Sequence, residues 1–346
     1  MVDGDLTSSA GSPNPSGRPS LLVLSNRSAY RLVSYGTVID FEDAICARAN
    51  ADLLDAPAYS RRARLRAALR WGDRTFRPVA PPRDEYDLCV LVAMNPGWVS
   101  TLRHVDRVRE RCKTIVVYVF DGWKADEAQL RRNRREWALC DLVYVSFPGA
   151  VDTFSRHLSC PVEYLPQAAS AARFHPLRVE RPIDVLSVGR RLGAAHALIR
   201  EIARRHDLFY HYSESEAPDV IDLIESRELL ARLCQSARSQ ICWPVEETNP
   251  NRRDEGSPIT SRWFEAAACG SVVLGRAPSA SDFPELFPYE RFVIELDSGD
   301  PVGFERTLLS ALNDQVDWLA RRELAEFVRA KHSWEARADK IIGYVP

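Results

Sequence analysis

The feature that most narrows the fold is an alternation. Short, nearly unbroken apolar runs recur along the chain, and stretches with helical spacing follow them. Residues 21–24, 87–93, 114–120 and 141–146 are such runs in the first half, and 183–188, 208–212, 241–243, 272–274 and 292–296 repeat the theme in the second. Strands that are apolar throughout are covered on both faces, so the pattern predicts doubly wound parallel sheets and an α/β fold. Residues 167–182 contain Pro and Arg and read as a hinge. A chain of 346 residues suits two domains. The expected division is a disordered tail rich in Ser, Gly, Pro and Asp (1–19), a first domain (20–166), the linker (167–182), a second domain (183–330) and a terminal helix (331–346).

One stretch carries more chemistry than the rest. Ser257 is placed to cap a helix that starts at Pro258, and Gly270 to close it in a left-handed conformation before the run at Val272 and Val273. The start of such a helix, with Thr260 and Ser261, directs free N–H groups at an anion. Arg262 adds a fork of donors suited to phosphate, and Glu265, one turn on, can accept from sugar hydroxyls. An anion-and-hydroxyl site fits a nucleotide sugar. A second phosphate contact is expected at Gly189, Arg190 and Arg191, where a glycine ends a strand and guanidinium groups follow. Gly189-Arg190-Arg191-Leu192-Gly193 does not make a dinucleotide fingerprint. Tyr212 and Ser213, at the end of the next strand, are candidates for contact with the base.

In the first domain the loops at the carboxyl ends of the strands hold the candidates. These are Asn26 and Arg27 after the first strand, then Gly36, Asn95 after the second run, and Asp121 with Trp123 after the third. Ordinary βα loops would look the same. Asp121 either caps the following helix or meets an acceptor hydroxyl and its proton.

Phe264-Glu265-Ala266-Ala267-Ala268-Cys269-Gly270-Ser271-Val272-Val273 resembles the (L/F)EA-A-G-PVV segment of the group 1 glycosyltransferases of GT-B fold. Val188-Gly189-Arg190 is similar to that family's VGR. Residues 162–176 resemble its PV-YLPQG linker, 283–287 its F-ELF continuation, and His332-Ser333-Trp334-Glu335-Ala336-Arg337-Ala338 its terminal H-(S/T)WE-RA helix. The resemblance implies two Rossmann-like domains facing across a cleft, with the acceptor on the first and the nucleotide-sugar donor on the second. It implies transfer of a sugar, a UDP-sugar above all, to a hydroxyl or amine with retention of configuration. It also implies that Glu265 binds the ribose, that Arg190 and the helix start hold the diphosphate, and that the terminal helix packs back on the first domain. The family has a second Glu eight residues before Glu265, and Ser257 stands there instead; Glu246, Glu247 and Glu255 are near but wrongly spaced. Two other readings stay open: a nucleotide-sugar epimerase of similar fold, and a non-catalytic nucleotide-sugar-binding pseudoenzyme.

The remaining expectations are exclusions. Net charge is −2, without the strongly basic domain expected of a nucleic-acid binder. The eight cysteines form no CxxC pair, as expected of buried thiols in a cytoplasmic protein without a zinc site. No apolar run is long enough to span a bilayer. Residues 60–70 read as a basic helix, solvated rather than membrane-bound because its apolar side lacks bulky anchors. No Asp-x-Asp motif stands at a strand end, so no metal and no cofactor are expected. Cationic side chains take the divalent ion's place, and the acceptor is expected to be a small molecule, a carrier-borne group or a glycan.

Overall fold

The computed structural model describes residues 19–29, 32–55, 83, 85–105, 107–123, 126–177, 180–213, 222–249, 258–289, 291–313 and 318–345. Most of the tail, the basic stretch 60–70, the polar residues 250–256 and Ser257 lie outside the described residues. Two all-parallel sheets form two lobes. The first contains β1 (Leu21–Ser25), β2 (Asp52–Asp55), β3 (Tyr86–Ala93), β4 (Cys112–Val119), β5 (Leu142–Val145) and β6 (Val162–Tyr164) in the order β2-β1-β3-β4-β5-β6. The second contains β7 (Ile183–Ser187), β8 (Tyr210–Tyr212), β9 (Ala237–Cys242), β10 (Val272–Gly275) and β11 (Val293–Glu295) in the order β11-β10-β9-β7-β8.

Both sheets reverse direction beside their first strand. β1 lies between β2 and β3, and β7 lies between β8 and β9. The connections leaving the two strands at such a point part to opposite sides, which opens a crevice beyond the carboxyl ends. Most of the loops singled out above leave the carboxyl ends of these strands.

Alternation along each strand sends side chains to two layers. Leu22 and Leu24 of β1 meet Leu91, Trp98 and Val117 in one layer, while Leu21 and Val23 meet Phe41, Tyr118 and Trp334 in the other. That last residue belongs to the far end of the chain. Trp334, fully buried, stacks on Phe41 with ring centroids 4.6 Å apart, and Ala338 and Ile341 continue the same layer. The helix Trp334–Ile342 is capped by Ser333, whose hydroxyl accepts from the Ala336 N–H (3.3 Å), and Arg337 donates to the Pro166 carbonyl (3.0 Å). The terminal helix therefore completes the first lobe.

Several boundaries differ from expectation. β2 begins and ends on Asp, and β6 has only three residues; both are sheet edges without the apolar run that marks a central strand. β9 starts at Ala237, four residues before the apolar run at 241–243. The helix expected from Pro258 begins at Ser261, because Thr260 is extended (φ −94°, ψ 165°) and the side chain of Gln167 in the linker holds the Ser261 N–H at 2.8 Å. A long-range contact sets this start. The helix end follows local rules: Gly270 has φ +66°, its N–H bonds the Ala267 carbonyl and the Ser271 N–H bonds that of Ala266.

Candidate active site

The phosphate candidates converge. Gly189, past the end of β7, has φ +77°, a region where side chains are strained, and its N–H donates to the Ser213 hydroxyl at 3.0 Å. A Cβ there would lie 2.3 Å from Nη2 of Arg262, so the glycine also makes room for that guanidinium. Arg190 follows at once. Its pKa is depressed, first by desolvation against the crevice wall and next by Arg262, while Asp121 of the first lobe acts the other way. Neither Arg190 nor Arg262 has a carboxylate salt-bridge partner among the described residues. Two like charges are thus held side by side, with one carboxylate, half-buried Asp121, facing them from the opposite lobe. Asp121 is not the cap of the next helix, which begins at Glu127 behind Asp126.

The start of the helix Ser261–Ala268 serves a different purpose from the one expected. Gln167 Oε1 accepts from both the N–H (2.8 Å) and the hydroxyl (2.9 Å) of Ser261, and that hydroxyl also lies 3.1 Å from Oγ1 of Thr37 in the first lobe. Ser261 is therefore a pin between lobes rather than a free donor. Thr260 stands at the cap position without a side-chain capping bond.

Beside the phosphate candidates, Arg191 lies over the Tyr212 ring, 5.4 Å from its centroid. His196 meets the same ring edge-on and shares a 2.8 Å hydrogen bond with the Tyr210 hydroxyl. Desolvation and then the neighbouring Arg191 and Arg200 lower the His196 pKa and so favour the neutral imidazole. An aromatic shelf with a cation on top results.

Glu265 is buried, and Oε1 accepts from Nη2 of Arg227 at 2.8 Å. Arg227 also donates through Nε to Oδ2 of Asp40 (2.9 Å), and its Nη2 makes a second bond to the same oxygen. The guanidinium stands over Phe174, 4.9 Å from the ring centroid. Burial alone would lower its pKa, but Asp40 and then Glu265 outweigh that and raise it.

The first-lobe candidates behave otherwise: all are engaged by groups within the protein. Asn26 is 2% exposed, and its amide bonds the Thr101 hydroxyl through Nδ2 (3.0 Å) and accepts from it through Oδ1 (3.3 Å). Arg27 is paired with Glu42 (2.8 Å) and Asp43 (3.0 Å). The Asn95 side chain accepts from the Gly97 N–H (3.0 Å) and starts the 3-10 segment Pro96–His104. Trp123 is buried against Phe147, with centroids 4.8 Å apart. Each supports a loop from inside. Gly36 is buried against Arg227, whose Cδ would lie 2.2 Å from a Cβ at that position.

Two polar residues of the cleft were given no role from the sequence, and a third, Glu246, was set aside for its spacing. Gln167 and Arg227 act across long sequence separations that no local pattern marks. Glu246, just past β9 in the helix Val245–Thr248, has Oε2 buried without a donor among the described residues, and desolvation raises its pKa. Its neighbour Val245 packs into the core of the first lobe, which places this segment between the lobes. Among the described residues no cluster could hold a metal ion, and no helix is long and apolar enough to cross a membrane.

Known proteins share this architecture. Residues 223–343 match the family described as glycosyl transferase-like. An alpha-glucosyltransferase in complex with UDP and a 13-mer DNA containing a central A:G mismatch superposes with a TM-score of 0.54 at 11% identity, covering 93% of this chain and 99% of that one. An alpha,alpha-trehalose-phosphate synthase (UDP-forming) from Burkholderia vietnamiensis gives 0.50 at 10% identity over 94% and 99%. AviGT4, a glycosyltransferase involved in avilamycin A biosynthesis, gives 0.50 at 14% over 94% and 98%. No curated protein matches the sequence. The fold is the GT-B architecture of these structures, two parallel sheets in two lobes, and the family match covers residues 223–343 of it. Its second lobe and terminal helix carry the glycosyl transferase-like segment.

Proposed function

We propose that the protein transfers a sugar from a UDP-sugar to an acceptor hydroxyl or amine, with retention of configuration and without a metal ion. The observation that carries this reading is the pair Arg190 and Arg262, adjacent across Gly189 and with no salt-bridge partner among the described residues. Holding two cations together costs free energy that a pyrophosphate recovers. As the glycosidic bond stretches, negative charge grows on the departing β-phosphate, and preorganised donors aimed at it lower the barrier. Each such donor contributes roughly 3 kcal/mol, about a hundredfold in rate. Arg191 with Tyr212 sits where the base would lie, Glu265 takes the ribose hydroxyls, and Asp121 accepts a hydrogen bond from the acceptor. The choice of uridine is supported by the similar structures that hold UDP.

The test is calorimetry with UDP, then UDP release across sugars, carrier-borne acceptors and duplex DNA, with and without a chelator. DNA belongs in the panel because a structure of the same fold holds it. The expected result is UDP binding, release that depends on one acceptor class, and full activity with chelator. Conversion of the donor sugar without any acceptor would identify an epimerase, and binding without turnover a pseudoenzyme; either overturns the proposal.

A further inference from the structure

The chain Asp40–Arg227–Glu265 crosses between the lobes. Asp40 lies on the helix Gly36–Ala49 of the first lobe, Arg227 on the helix Leu223–Gln235 and Glu265 on the helix Ser261–Ala268 of the second. Gly36 and Asp40 are one helical turn apart and so share a face. The missing Cβ of Gly36 lets the Arg227 stem lie across the helix, and Asp40 grips the head of the same side chain. Both Asp40 oxygens are engaged, Oδ2 by Arg227 and Oδ1 by Arg173 of the linker at 2.8 Å. On the far side Arg227 holds one oxygen of Glu265, while Oε2 meets no donor among the described residues and is not among the sealed, unsatisfied atoms.

We propose that Arg227 and Asp40 are positioning residues for the donor: Asp40, a residue of the acceptor lobe, orients Arg227 so that Glu265 presents Oε2 to the ribose. A carboxylate on a rotatable side chain loses freedom when it binds a diol, and a guanidinium that fixes one oxygen beforehand removes part of that cost. The grip comes from the opposite lobe, so the ribose contact forms fully only while the lobes are joined. Donor affinity is thereby tied to interlobe geometry without any first-lobe group touching the ribose. This inference rests on the proposed function.

The experiment compares UDP with 2′-deoxy-UDP by calorimetry on the full-length wild type, Asp40→Asn and Arg227→Lys, with thermal melting to confirm folding. In the wild type the ribose hydroxyl is expected to give about tenfold tighter binding of UDP, the size of one good hydrogen bond to a charged group. In both variants that ratio should fall towards one, although both ligands still bind through their phosphates. A purely structural role would weaken both ligands equally and leave the ratio intact, and that result in a folded variant overturns the proposal. If Asp40→Asn does not fold, Gly36→Ala, which displaces the Arg227 stem without changing charge, answers the same question. Wild-type protein that binds no nucleoside diphosphate would overturn the functional reading itself; wild-type binding with an unchanged ratio overturns only the positioning.

Discussion

The two faces of the cleft are built on opposite principles. On the second lobe, Arg190 and Arg262 stand together with no salt-bridge partner among the described residues. On the first, Asn26, Arg27 and Asn95 are spent on internal partners, Thr101, Glu42 with Asp43, and the Gly97 amide. Charge left unpaired beside a like charge is stored for a ligand, whereas charge paired inside a loop is used to hold that loop. On the proposed reading the second-lobe face is thus preformed for an anion. On the same reading the first-lobe face is a scaffold that would meet an acceptor through its loop shape more than through any of these three side chains.

The largest effect that would break this contrast is expected from Arg262. Arg262→Ala should lower kcat at least about a hundredfold with little change in melting temperature, because the side chain serves the leaving group and not the fold. Steady-state kinetics beside a melting curve checks both, and near-normal turnover would remove Arg262 from the phosphate site. A smaller loss, about tenfold in kcat, is expected for Glu246→Gln if its unsatisfied oxygen meets a donor-sugar hydroxyl. An unchanged rate would mark that carboxylate as a passive part of the seam.

For the first lobe the expectation is inverted. Arg27→Ala should cost about 2 kcal/mol of stability, since it strips the partner from buried Glu42, while the acceptor KM of the folded fraction stays put. A large KM change at constant stability would return Arg27 to the acceptor site. The smallest effect is one of pH. Burial raises the Glu42 pKa to about 7, against the opposing Arg27 and Ser25. A carboxyl whose folded pKa lies above its unfolded one contributes stability that is present below the unfolded value and lost as pH rises through the folded one. The wild type should therefore lose stability relative to Glu42→Gln between about pH 4.5 and 7. Parallel melting profiles of the two proteins over that window would show that Glu42 does not titrate this way.

How much of this was legible beforehand varied with range. Central strands such as β3 and β4 declared themselves, because a strand buried on both faces leaves an unbroken apolar run. Edge strands β2 and β6 did not, because one side meets no neighbour and the apolar run lapses. Gly270 and Gly189 were readable since a positive φ is a local demand. The start of the helix at Ser261 was not, because Gln167, 94 residues away in sequence, decides it.

By itself the sequence determined the layered α/β architecture and the residue types that gather at a phosphate, both consequences of periodicity and backbone conformation within a few residues. Only the tertiary structure decided which of those residues are free. A guanidinium reads the same in a sequence whether it faces Glu42 or an empty crevice, and its availability depends on partners supplied by other elements. Arg27 has such partners; Arg190 and Arg262 meet no salt-bridge partner among the described residues.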